Sequence, residues 1–197
     1  MVGLGQLLCN ASYSALCIGA DEYASQLAER ATPIVRELDT PGVWMILRGN
    51  TGLVALLRGD TGTADDAFRE ELELCRQHVA LPIVSEGLIG LAAVAVARGE
   101  FHDAARLRGA AAAHGYGQQQ TDVEARLETA FFTAARARHG ADKWDAAIRE
   151  GMALSLEAAI AVALDETLGQ RQHSPPGHPA PTHPRALDFH AETVRRR

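Results

Sequence analysis

The chain alternates runs that are apolar throughout with runs that are apolar on one side only. Three of the apolar runs end at a glycine, in Leu16-Cys17-Ile18-Gly19, Leu56-Leu57-Arg58-Gly59 and Val96-Ala97-Arg98-Gly99, each forty residues from the next. Aligned on these glycines, Leu4, Trp44 and Val84 coincide, and Asn10 and Asn50 share a position that Gly90 fills in the third copy. Five residues past each glycine stand Ala24, Ala64 and Ala104; eight past stand Leu27, Ala67 and Leu107. Each glycine is followed by a polar helix start, Asp21, Thr63 or His102-Asp103, and then by apolar residues at helical spacing. In the second copy these are Ala64, Ala67, Phe68, Leu72, Cys75 and Val79, with Asp65, Asp66, Arg69, Glu70 and Glu73 directed outward.

One such unit predicts two helices folded back on each other. Glycine ends the first because it takes φ > 0 without steric cost. The small alanine past the turn lets the second helix approach closely. A single hairpin leaves one apolar face uncovered and has to stack on the next. The expected fold is therefore all-α, an α-solenoid of antiparallel helix hairpins with a repeat of about forty residues. The third apolar run, Glu86 to Arg98, is apolar almost all round and is expected to be the most buried helix. A fourth, shifted copy runs through Arg138-His139-Gly140, with Ala146 in the alanine slot and helices over 123–138 and 142–151. A closing helix over 155–168, with Ser155 as its N-cap, is expected to cap the stack. Pro33 and Pro82 mark helix ends or kinks. No alternating strand pattern occurs.

Composition supports this reading. The 197 residues are 47% hydrophobic but only 5% aromatic, so the core has to be built from alanine, leucine and valine. The 36 alanines favour helix. Arginine replaces lysine everywhere except Lys143, a usage typical of a GC-rich bacterial genome. Character changes near Gly169: residues 170–184 hold five of the eight prolines and His173, His178 and His183. Proline without apolar periodicity forms no core, so the reading is a helical domain over 1–168 and a disordered Pro/His/Arg-rich tail over 169–197. The chain's net charge of −6 divides into −9 before Gln170 and +3 after it. An acidic body argues against direct nucleic-acid binding.

Cys9, Cys17 and Cys75 are odd in number and form no C-x-x-C, which fits reduced thiols in a cytoplasm. No signal peptide is read at the N-terminus, and the longest apolar stretch, Gly87 to Ala97, is far short of the ~20 residues that span a bilayer.

Several segments resemble a known family. They are Arg48-Gly49-Asn50-Thr51-Gly52-Leu53-Val54-Ala55-Leu56-Leu57-Arg58-Gly59-Asp60 with its continuation to Leu74, and Glu86 to Glu100 with Ala104-Ala105-Arg106-Leu107-Arg108-Gly109-Ala110-Ala111. The closing stretch Trp144 to Leu164 adds to them. Together they are similar to the C-terminal tetratricopeptide-like (TPR-like) region of large actinobacterial ATP-dependent transcriptional regulators of the LuxR and SARP types, whose ATPase core is NB-ARC-like. The resemblance spans about residues 1–168 and implies a TPR-like helical array with a signal-sensing role. It does not bring the family's ATPase with it. Lys143 precedes Trp144 and lies in no Gly-rich loop, and no Arg/Lys-rich helix-turn-helix segment is present. The chain reads as a sensor region by itself: a fragment, a truncated gene or a stand-alone descendant.

Candidate chemistry is sparse. There is no H-E-x-x-H, no G-x-S-x-G and no cysteine paired in pattern with a histidine, so no catalytic residue, metal site or cofactor is expected. Acid pairs such as Asp65-Asp66 and Glu70-Glu71 are assigned to solvated faces, and because adjacent helical positions diverge they form no catalytic pair. The evenly spaced tail histidines have proline between them and no carboxylate or thiol beside them. Asn10 and Asn50 either line an inner groove that binds peptide backbone or bond a neighbouring carbonyl between repeats. Trp44, Arg48 and Arg58 form a candidate ligand-facing cluster, with Trp44 as core its other reading. The partner- or ligand-binding groove is thus assigned to Trp44, Arg48, Asn50, Asn10 and Glu86. The function these features imply is a non-catalytic regulatory module that binds a protein partner, a sister regulator domain or a further copy of itself. The alternative is a small-molecule effector sensor, with polar groups gathered around Asn50 and Trp44.

Overall fold

A computed structural model describes residues 2–38, 40–78, 81–115 and 121–164. The tail assigned to 169–197 lies outside them. All regular structure among the described residues is helical. The elements are α1 (Val2–Cys17), α2 (Asp21–Leu38), α3 (Pro41–Leu57), α4 (Thr61–His78), α5 (Leu81–Arg98), α6 (Phe101–His114), α7 (Asp122–Leu127), α8 (Thr133–His139), α9 (Ala141–Met152) and α10 (Leu156–Leu164). A π-helical segment, Glu128–Phe132, joins α7 to α8 without a break.

The three glycine turns are built alike. Gly19, Gly59 and Gly99 have φ of 77°, 82° and 82°. At each, the glycine N–H donates to the carbonyl three residues back and the next N–H to the carbonyl five residues before it. The outer bonds, Ala20 to Ala15, Asp60 to Ala55 and Glu100 to Ala95, are all 2.9 Å. This pattern satisfies carbonyls that a helix end leaves open, and it needs the left-handed conformation glycine supplies. Each turn sends the chain back, and α1 packs along α2, α3 along α4 and α5 along α6.

The period of forty reappears in what is buried. Ala15, Ala55, Ala95 and Ala135 are buried before the turns; Ala24, Ala64, Ala104 and Trp144 are buried after them. The last set corrects the fourth unit. Gly140 (φ 93°) is itself the N-cap of α9, so the turn is one residue shorter than the others. The equivalent slot is then Trp144, whose N–H donates to Gly140 O as Ala24 donates to Ala20 O. Ala146, expected there, is only half-buried.

Close helix approach depends on glycine at two places. On α4, Phe68 and Glu71 are one turn apart and enter a slot walled by Gly49 and Gly52 of α3 and Gly87 and Gly90 of α5. A Cβ on Gly52 would lie 2.7 Å from the Phe68 ring, and one on Gly49 2.6 Å from Glu71 Oε1. Between α6 and α9 the backbones themselves touch: a methyl on Gly109 would fall on the Ile148 carbonyl, and one on Gly151 on the Arg106 carbonyl. The third apolar run, α5, buries Val84, Leu88, Leu91 and the whole of 92–95.

Further expectations are refined. Pro33 lies inside α2, and Pro82 in the first turn of α5. Ser155 caps α10, its hydroxyl accepting from Ala158 N at 3.2 Å. That helix does not continue the stack beyond α9; it packs on α4, α5 and α6. The three-residue link Ala153–Ser155 turns the chain back, and Ala159, Ile160 and Ala163 are buried there. Arg69 Nη1 donates to Ala163 O at 3.2 Å, and Asp65 is 3.0 Å from both Arg69 and Arg98. Asp65 and Arg69, expected to face outward, are half-buried because α10 covers that side of α4.

Candidate functional site

The first helices of successive hairpins touch one another, α1 with α3 and α3 with α5, and α7 returns to α1. That return is held by Arg126, which donates to both carboxylate oxygens of Asp21 at 2.8 Å and to Leu16 O at 2.5 Å. Most residues assigned to a groove lie on these helices, but they do not form one site.

Trp44 and Arg48, one turn apart on α3, are joined by a residue the sequence reading placed in solvent. Trp44 Nε1 donates to Glu70 Oε1 at 2.8 Å, and Arg48 Nε lies 2.7 Å from Glu70 Oε2. The Arg48 Nε–H does not point along that contact, so the pair is held by charge without a directed hydrogen bond. Arg58 stands apart. It follows the last residue of α3, roughly 21 Å along the helix from Trp44 at 1.5 Å per residue. There it bonds Ser25 Oγ and pairs with Glu22.

Asn10 and Asn50 have different fates. Asn50 is buried, and its Nδ2 donates to Cys9 O at 2.8 Å, pinning α3 to α1. Asn10 is exposed and accepts from Gln6 Nε2 on its own helix. The difference follows from position: Asn50 has α1 to reach back to, and no hairpin precedes α1 among the described residues.

Glu86 is half-buried on α5. Burial first, and then the Glu124 charge, raise its carboxyl above the ordinary range; a hydrogen bond with Tyr13 opposes them. The Tyr13 phenol is pushed up to about 12, mainly by burial and then by Glu86. Glu71, assigned to a solvated face, is fully buried, and neither of its oxygens has a hydrogen-bond partner. Burial raises its carboxyl well above the ordinary range, Glu86 adds to this, and Arg48 opposes it. One sequence signal does find this residue: at the period of forty, Glu71 aligns with Ala31, Ala111 and Gly151, all buried and all small.

Trp44 also walls a cleft of about 300 Å³ between the C-terminal ends of α2 and α4 and the start of α3. Val35, Arg36, Thr40, Pro41, Leu74 and His78 complete it. The Arg36 guanidinium stands 5.9 Å from the indole centroid.

Cys9 and Cys75 are buried and Cys17 half-buried, all as free thiols. Burial pushes Cys9 to about 11 and Cys75 to about 12, and Cys75 Sγ donates to Met45 Sδ at 3.6 Å. These are inert packing groups in this environment. Among the described residues no group of three or more His, Cys, Asp or Glu is placed to hold a metal ion, and no helix is long and apolar enough to cross a membrane. No protein-family model, curated protein or solved structure matches the chain.

Proposed function

We propose that this chain is a non-catalytic regulatory module of the cytoplasm, an α-solenoid of TPR-like hairpins that receives a protein partner or a sister regulator domain. One observation carries this reading. Hairpins turn on left-handed glycines forty residues apart and bury equivalent small positions, so a single unit is stacked repeatedly. Arrays of this kind offer an extended surface of first helices to a partner. The resemblance to the sensor region of actinobacterial LuxR- and SARP-type regulators supports the same role. Tagged chain captured from its source organism tests it by mass spectrometry. A partner in fixed ratio, or a parent chain several-fold heavier than 21.1 kDa, supports the module. A solitary chain of 21.1 kDa that also sediments as a monomer overturns it.

A further inference from the structure

The cleft beside Trp44 combines an aromatic wall with a basic rim. Most described arginines are committed to carboxylates: Arg48, Arg58, Arg69, Arg76, Arg98, Arg108, Arg126 and Arg136 each pair with one. Arg36 is not: among the described residues it makes no ion pair or hydrogen bond, and its guanidinium stands 5.9 Å from the Trp44 ring centroid. His78, across the cleft at the end of α4, likewise has no ion-pair or hydrogen-bond partner among the described residues. In a body of net charge −9, two basic side chains that pair with no acid among the described residues line one cavity.

The rest of the lining is apolar or flat. Val35, Leu74 and Pro41 supply aliphatic contact, and Trp44 supplies an aromatic wall. The wall is held in place, because Glu70 takes the indole N–H and Arg48 stands against Glu70. A ring fixed before a ligand arrives costs less ordering on binding. About 300 Å³ lies at the lower end of small-molecule sites. An apolar floor, a fixed aromatic wall and a guanidinium at the rim suit one ligand class: a flat, mostly apolar molecule with a single carboxylate. Its ring would lie on Trp44, and its carboxylate would take the bidentate face of Arg36 with His78 as second donor.

We propose that this cleft binds planar aromatic carboxylates, with Arg36 as the anion-recognising residue and Trp44 as the stacking surface. The inference goes beyond the interaction module and does not need it: a chain that captures a partner and ignores aromatic acids loses only this proposal.

Calorimetric titration of the full chain with 2-naphthoate and its neutral analogue 2-naphthamide tests it. Saturable 1:1 binding of naphthoate is expected, with naphthamide weaker by about ten-fold or more, the weight of a charge-assisted pair. Arg36 is exposed, so Arg36→Gln should fold normally; it should weaken naphthoate by the same factor and leave naphthamide unchanged. Trp44→Phe should keep part of the affinity for both ligands, and His78→Gln should weaken naphthoate alone. Failure of naphthoate to bind at millimolar concentration overturns the proposal. So does equal binding of the amide, or an Arg36→Gln chain that binds naphthoate like the parent.

Discussion

Glu71 occupies a position at which the other units place alanine or glycine, and it brings a carboxyl that nothing solvates. In the folded chain burial and the neighbouring Glu86 hold it protonated well above its ordinary range, against the pull of Arg48. In the unfolded chain it ionises near the ordinary value of 4.5. Between those two values the folded state binds more protons, so stability falls as pH rises. Glu86, raised in the same direction, adds to the fall. Replacing Glu71 by Gln should flatten this slope: the variant gains on the parent between pH 5 and pH 8 in urea denaturation, and an unchanged slope would contradict the assignment. Backbone contact makes a second residue-scale prediction. Gly151→Ala should cost about 3 kcal/mol, because the rigid Arg106 carbonyl cannot yield. Gly42→Ala, with open space around it, should stay within about 0.5 kcal/mol of the parent in the same assay. Helical periodicity does place Glu71 on the apolar stripe, three residues past Phe68 and four before Cys75; reading it as a pair with Glu70 hid this. Register with the other units points the same way. Asn50 was legible in kind, for the bond to a neighbouring carbonyl is one of its two sequence readings.

At the scale of elements, the hairpin is the unit the sequence shows best. Its glycines and the buried alanines past them follow from steric rules and helix-end bonding that act within a few residues; of the residues before the second helices, Asp60 caps with its side chain and Glu100 does not. Gly59→Ala puts a Cβ into a left-handed turn and should lower stability by roughly 1–2 kcal/mol, read from thermal unfolding by circular dichroism. A similar loss is expected at Gly99, while a loss at neither glycine would show that the turns are not under conformational demand. The π-helical segment had no local signature. Thr133 Oγ1 bonds Glu128 O, five residues back, and the extra residue carries Phe132 into the core. Arg108 from α6 meets both Glu128 at 2.5 Å and the face of Phe132 at 5.3 Å. Placement of α10 was equally unreadable, since its apolar residues state that it is covered without stating by which helices.

For the whole molecule, one contact reaches across most of the chain. Arg126 on α7 and Asp21 on α2 are 105 residues apart in sequence, and their bidentate pair ties the fourth hairpin to the first. Both side chains are more than a quarter exposed, so Arg126→Gln should cost only on the order of 1 kcal/mol. Its effect should be spatially split: amide exchange should quicken at the end of α1 and in α7 together, with α4 and α5 unchanged. Quickening confined to one of the two helices would show that the pair does not couple them. The same contact also sets an order of events. Every hairpin is made of neighbours in sequence and can form quickly, but the Arg126–Asp21 latch must wait until the intervening turns are in place. Assembly therefore ends where opening begins, and a molecule that yields under mechanical load should part first at this latch, with its individual hairpins still intact.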